Sequence, residues 1–284
     1  MSKVYQYRKH IRWGQYVIAV IFPIIIVACA LGGLVMSQQP RTQDDLPSLF
    51  KIAMLVISAC GAIIFTAEGF FLWYLYYRLA GVRVILEDDS ITYKHRSGET
   101  RIDINKITEI GLPSIPYLGG WITVVAGKEK IRLTVVVSEI GDFVRSLKTS
   151  LDKIGLADRY NEAKLFRFLK TAVFSDQSWD RIYSLFWKLV AATIGIGGIG
   201  IATALISNKG GFPWALLSLI FPTLVYLFTE IVFVARFAKV SVRESFFVPP
   251  RDVDYENSVY KVSMVVGMII YLTIALVIMF ILKL

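Results

Sequence analysis

Five apolar runs punctuate this chain: Tyr16 to Met36, Ile52 to Tyr77, Trp187 to Ile206, Pro213 to Ala235 and Val262 to Leu282. A membrane-spanning helix needs about 20 mostly apolar residues, because the hydrocarbon core is about 30 Å thick and a helix rises about 1.5 Å per residue. Each run meets that length. Backbone NH and C=O groups find no water in lipid, so all five are predicted to be helical.

Between the second and third runs the pattern changes to a period of two. Val82, Val84 and Leu86 alternate ahead of Asp88-Asp89-Ser90, Ile91 and Tyr93 follow, and Ser97-Gly98 turns the chain into Arg101-Ile102-Asp103-Ile104. Trp121 to Val125 and Ile131 to Val137 flank Gly127-Lys128-Glu129-Lys130 as a further hairpin. Ile140, Phe143, Val144, Leu147, Leu151 and Ile154 then recur at helical spacing, with Ser138 placed to cap the helix. Strands closed by one amphipathic helix make a small α+β module. The expected organisation is therefore a basic tail with two spans (1–80), the module (81–156), a connecting helix (157–186) and three spans (187–284) with a short polar segment at 236–261. For 157–186, where Leu165, Phe166, Phe168, Leu169, Val173 and Phe174 mix with Arg159, Lys164, Arg167 and Lys170, two placements are open. It lies in the membrane interface, or it packs on the module.

The module resembles the bacterial pleckstrin-homology-like domains that are attached to membrane helices. Asp89-Ser90-Ile91-Thr92, Ser97-Gly98-Glu99-Thr100, Ile104 to Ile110, the Leu118-Gly119-Gly120-Trp121 turn and the closing helix with Phe143 and Leu147 carry the resemblance. It implies a partly open β-barrel capped by one helix, a bacterial inner-membrane location, and binding or assembly rather than chemistry. Lipid-binding members of the wider superfamily often carry basic residues in the first hairpin. Here that turn holds Asp88 and Asp89, which argues against phosphoinositide-type recognition.

Charge adds an orientation. The formal net charge is +9, yet the block from Gly81 to Ser184 holds 16 basic and 14 acidic side chains and lacks the concentrated basic face that nucleic acid requires. Of the 31 Lys and Arg residues, Arg41, Lys51, Lys209 and Lys283 fall on one side of the five spans, which leaves 27 on the other. Basic loops face the cytoplasm, so the N-terminus and the module are expected inside and the C-terminus outside. The first span lacks a small-residue cleavage site after it and is expected to be retained. Cys29 and Cys60, the two cysteines, fall within spans and read as small packing residues.

Candidate chemistry is sparse. Glu68 and Glu230 are acids within apolar runs, each just after a threonine, and an acid there must be neutral, paired, or facing protein or water. Both lie in a recurring context: Arg78-Leu79-Ala80-Gly81-Val82-Arg83-Val84 leaves the second span and Arg236-Phe237-Ala238-Lys239-Val240-Ser241-Val242 leaves the fourth, a pattern compatible with an internal duplication. Lys94, Arg96 and Arg101, with His95, form a basic hairpin positioned to meet lipid headgroups or an acidic partner. Gly195, Gly197, Gly198 and Gly200 read as helix-packing positions, since a nucleotide-binding loop would need a strand before it. With two histidines and no phosphate-cradling or nucleophile motif, no catalytic residue, metal site or cofactor is expected. The sequence points to a non-catalytic polytopic membrane protein whose module holds a protein partner, a second copy or a lipid headgroup at the membrane. The alternative is a transporter or channel component in which Glu68 and Glu230 line a polar path.

Overall fold

The computed structural model describes residues 2–38, 48–206, 220–240 and 248–282. In chain order they form β1 (Lys3–Gln6), α1 (Lys9–Gln38), α2 (Ser48–Ala80), β2 (Arg83–Leu86), β3 (Ser90–His95), β4 (Gly98–Asp103), β5 (Glu109–Gly111), β6 (Ser114–Ile115), β7 (Gly119–Ala126), β8 (Glu129–Thr134), α3 (Ile140–Lys153), α4 (Glu162–Ile206), α5 (Ile220–Ala238) and α6 (Val253–Leu282). Five helices, α1, α2, α4, α5 and α6, are long and apolar enough to cross a membrane.

The strands form two antiparallel sheets. In one the order is β1-β2-β3-β4; in the other β7 pairs with β5, β6 and β8. The inward positions alternate as the sequence predicts: Val84, Leu86, Ile91 and Ile102 face the core from the first sheet, and Ile122, Val124, Ile131 and Leu133 from the second. Phe143, Val144, Leu147 and Leu151 of α3 close that core.

The N-terminal tail departs from its expected place. It is the first strand of the module, with Lys3 opposite Leu86 and Gln6 opposite Arg83, and Tyr5 and Tyr7 are buried. Tyr7 then bridges to Val137, and Ser138 donates its amide to the Gln6 carbonyl, so this strand ties the two sheets together. The α1–α2 pair is thus an insertion between two neighbouring strands, and the expected unit 81–156 lacks one of its own strands. A short polar tail carries no period-2 signal strong enough to predict this, because its pairing partner lies far along the chain.

Residues 157–186 do not form a separate connecting helix. After a single 3₁₀ turn, α4 runs unbroken from Glu162 into the third apolar run. Its first turns bury Leu165, Phe168 and Leu169 in the module core, so of the two placements open for this segment, packing on the module is the one adopted. The end of α5 does the same with Phe233 and Phe237, joined by Val248. The apolar run Pro213 to Ala235 therefore serves two environments, the helix bundle at one end and the module core at the other.

Helix contacts separate into α1 with α2, and α4 with α5 and α6. Side chains meet between these sets next to the module, where His10 stacks on Trp179 at 3.9 Å and bonds to the Tyr183 hydroxyl at 2.8 Å. Close approach of helices uses Gly14 beneath Tyr76, Gly69 beneath Phe22 and Gly267 beneath Val225. Of the glycines singled out in the third span, Gly197 is buried, whereas at Gly195 and Gly198 an added Cβ would meet open space, because that face of α4 turns away from its described neighbours. Cys60 is free and exposed on α2; the Cys29 side chain and residues 241–247, where the second copy of the repeat continues, lie outside the described residues.

Candidate functional site

α4 carries two charged clamps one and a half turns apart. At the first, Asp176 accepts the Arg8 guanidinium of the tail and the backbone amides of Glu139 at 3.1 Å and Gly141 at 3.4 Å. These amides open α3. Ser138 is not its cap: Glu139 occupies that position in a left-handed conformation (φ 57°) without a side-chain bond, and the carboxylate from α4 supplies the missing acceptor.

At the second clamp Arg181 is 1% exposed. Its Nε and Nη2 donate to the two Glu230 oxygens at 3.0 and 2.8 Å, a bidentate pair between α4 and α5. Glu256 of α6 stands 3.7 Å from Nη1 and accepts from Arg251 at 2.8 Å, which in turn approaches Asp180 at 3.8 Å. The Arg181 guanidinium also lies over the Phe233 ring at 4.0 Å. Three helices are thus joined through one buried cation, and α4 connects them rigidly to the module.

Glu230 is joined to residues that precede the apolar runs of their own helices. Arg181 is six residues before Trp187 and Glu256 six before Val262, so the network lies about 9 Å on the module side of the levels where α4 and α6 become continuously apolar. The run around Glu230 continues because Phe233 and Phe237 are needed in the module core. Glu68 is placed differently. It is exposed on α2, level with Phe22 and Pro23 of α1 through the Gly69–Phe22 contact, and among the described residues it makes no ion pair or hydrogen bond. Counted from the His10–Trp179 contact, Phe22 is twelve residues along α1 and Arg181 two residues along α4, so the two acids are not brought together; they stand roughly 15 Å apart along the helix axes.

The basic hairpin is distributed among local partners. Lys94 pairs with Glu99 at 3.1 Å, Arg101 reaches Ser90 at 3.1 Å and Glu87 at 3.6 Å, and Arg96 lies on the Tyr77 ring of α2 at 3.8 Å. That contact sets the β3–β4 tip beside the aromatic end of α2, where headgroups would lie. Lys94 and Arg101 remain about half exposed.

Arg8, Asp176, Arg181, Arg251 and Glu256 were not visible as a site in the sequence. Arg181 offers one signal, an arginine amid Trp179, Ile182, Tyr183, Leu185 and Phe186; its partners come from elements far along the chain. Among the described residues no group of acidic, His or Cys side chains is arranged to hold a metal. Compared with family models, curated proteins and solved structures, the chain gave no match.

Proposed function

We propose that this is a non-catalytic assembly factor of the bacterial inner membrane, a pleckstrin-homology-like module held on the cytoplasmic face by five helices and docking a protein partner there. The observation that carries the reading is the fate of the two acids. A proton or ion path would place Glu68 and Glu230 together and leave them free to titrate. Glu230 is instead engaged by both arms of Arg181, and Glu68 is far from it. The network reads as a clamp that fixes the module's position against the helices.

Partner docking has a surface available. Ile115 at the end of β6 and Leu118 in the β6–β7 loop are 64% and 84% exposed. The loop is anchored to α4 by the Tyr117 amide on Thr171 and by Tyr117 against Phe174, roughly 20 Å from Trp187 at about 1.5 Å per residue. That distance exceeds the headgroup layer, so these side chains suit a protein better than lipid. Lipid contact falls to Lys94 and Arg96 at the β3–β4 tip, whereas Arg101 reaches Ser90 and Glu87 at the other end of the hairpin.

The test is purification from native membranes of the parent and of Ile115→Glu/Leu118→Glu. Both positions are exposed, so insertion and thermal stability should be unchanged while a stoichiometric companion protein is lost. A proton or cation flux in the reconstituted parent, abolished by Glu68→Gln and Glu230→Gln at normal stability, would establish the transport reading instead.

A further inference from the structure

Glu68 stands on a face of α2 that the described residues leave uncovered. It is exposed, and so are Ile64, Phe71 and Leu75, which lie one turn before, one turn after and two turns after it on the same side of the helix. At Gly61, two turns before it, an added Cβ would meet open space. α1 packs on a different face, where Gly69 lies beneath Phe22 and Tyr76 covers Gly14, about 100° round the axis from Glu68.

The acid is set inside the apolar run and aimed further in. Trp73 and Tyr77, whose rings stack at 5.3 Å, stand five and nine residues from it towards the module, about 8 and 14 Å along the axis, and aromatic rings of this kind mark the membrane interface. Side chains on a helix lean towards its N-terminus. For α2 that is the end away from the module, so Glu68 leans away from the headgroups beside Tyr77. An acid at such a position is costly unless it is neutral or meets a cation, protein or water.

A second copy of this chain brings no cation to that level. Across the five apolar runs the one Lys, Arg or His is Lys188; it adjoins Trp187 at the module end of its run and leans, by the same rule, towards the module. We infer that the Glu68 face of α2 seats a transmembrane helix of another membrane protein, one that carries a lysine or arginine at the level of Glu68. Ile64, Phe71 and Leu75 supply apolar contact on either side of the ion pair, and Gly61 admits close approach. The occupant is a helix because no other single segment satisfies its own backbone in lipid. This face is separate from the β6–β7 loop, and neither depends on the other.

The full-length protein, with a donor fluorophore at its C-terminus, should be reconstituted in phosphatidylethanolamine/phosphatidylglycerol vesicles with acceptor-labelled Leu/Ala helices of about 20 residues. One helix carries a single lysine at the level of Glu68, a second leucine and a third glutamate there. Energy transfer is expected to show about tenfold tighter association of the lysine helix than of the leucine helix. Glu68→Gln should remove that difference at an unchanged melting temperature, and Glu68→Lys should transfer the preference to the glutamate helix; if Glu68→Lys does not insert, Glu68→Gln decides. Ile115→Glu/Leu118→Glu should leave the lysine preference intact, so that failure of the loop as a docking surface and failure of this site are told apart. In native membranes, a photocross-linker at Phe71 should capture a discrete transmembrane segment with Lys or Arg within one turn of the cross-link. Equal association of the lysine and leucine helices, a lysine preference that survives Glu68→Gln, cross-links to lipid alone, or self-association of the parent abolished by Glu68→Gln would each overturn the proposal, the last by making a second copy the occupant.

Discussion

The Arg8 guanidinium donates to the Asp176 carboxylate, 168 residues further along the chain. The contact joins the first strand of the module to the helix that carries it into the bundle, and the same carboxylate caps α3. Asp176→Ala should therefore loosen three elements at once. Removing one partner of a buried pair costs about 3–5 kcal/mol, and Asp176→Asn, which keeps acceptor capacity for one amide, should cost less; thermal unfolding in detergent gives the ranking.

The second clamp makes a sharper prediction. Arg181→Ala leaves Glu230 without its cation and Glu256 with Arg251 alone, and should destabilise by about 3–5 kcal/mol. Arg181→Met combined with Glu230→Leu removes both charges and retains volume. That double variant should melt above Arg181→Ala, and a lower melting point than the single variant would show that the pair is not coupled.

The module should not fold from residues 81–156. That fragment lacks the buried Tyr5 and Tyr7 of β1 and the cover from Leu165, Phe168 and Leu169. Because Gln6 and Arg83 are register partners, residues 2–7 can be joined to 82 by a short hairpin turn in place of α1 and α2. The joined chain, continued to residue 178, is expected to show a β-rich circular dichroism spectrum and cooperative melting; equal cooperativity in 81–156 would count against the assignment of β1 to the core.

Burial, then the hydrogen bond to Asp142, push the Tyr5 hydroxyl well above the usual tyrosine range, and burial pushes Tyr7 up as well. The folded state keeps protons that the unfolded chain releases from about pH 10. The associated stability is complete below that pH and is lost as pH rises towards the folded values, at about 1.4 kcal/mol per pH unit for each group. In melting curves between pH 8 and 11.5, Tyr5→Phe should fall less steeply than the parent, and it should cost about 1 kcal/mol at pH 8 for the lost hydrogen bond.

Orientation is testable by reporter fusions. Sharing a sheet places the tail and the module on one side, and the basic-residue asymmetry predicts that this side is the cytoplasm. Fusions after Asp45 and Gly210 are expected to report outside and those near Gly127 and Asp252 inside. An inside signal at Asp45 would reverse the model.

Hydrophobic period determined most of what the sequence could determine. Runs of about 20 apolar residues define helices because lipid leaves the backbone no other partner, and alternation at Val84, Leu86, Ile122 and Val124 defines strands because one face of each is buried. The Lys94 to Arg101 hairpin followed from turn residues, for the same local reason. What remained hidden depends on distance along the chain. Tyr5 becomes a core residue only because β2 lies beside it after an inserted helix pair, and a four-residue strand has no periodicity of its own to announce that. The apolar run around Glu230 reads as lipid-facing throughout, whereas Phe233 and Phe237 face the module core. Its partner Arg181 and the bridge to Glu256 are tertiary facts: a bidentate pair requires two helices at a particular register, and no property of either helix by itself sets it.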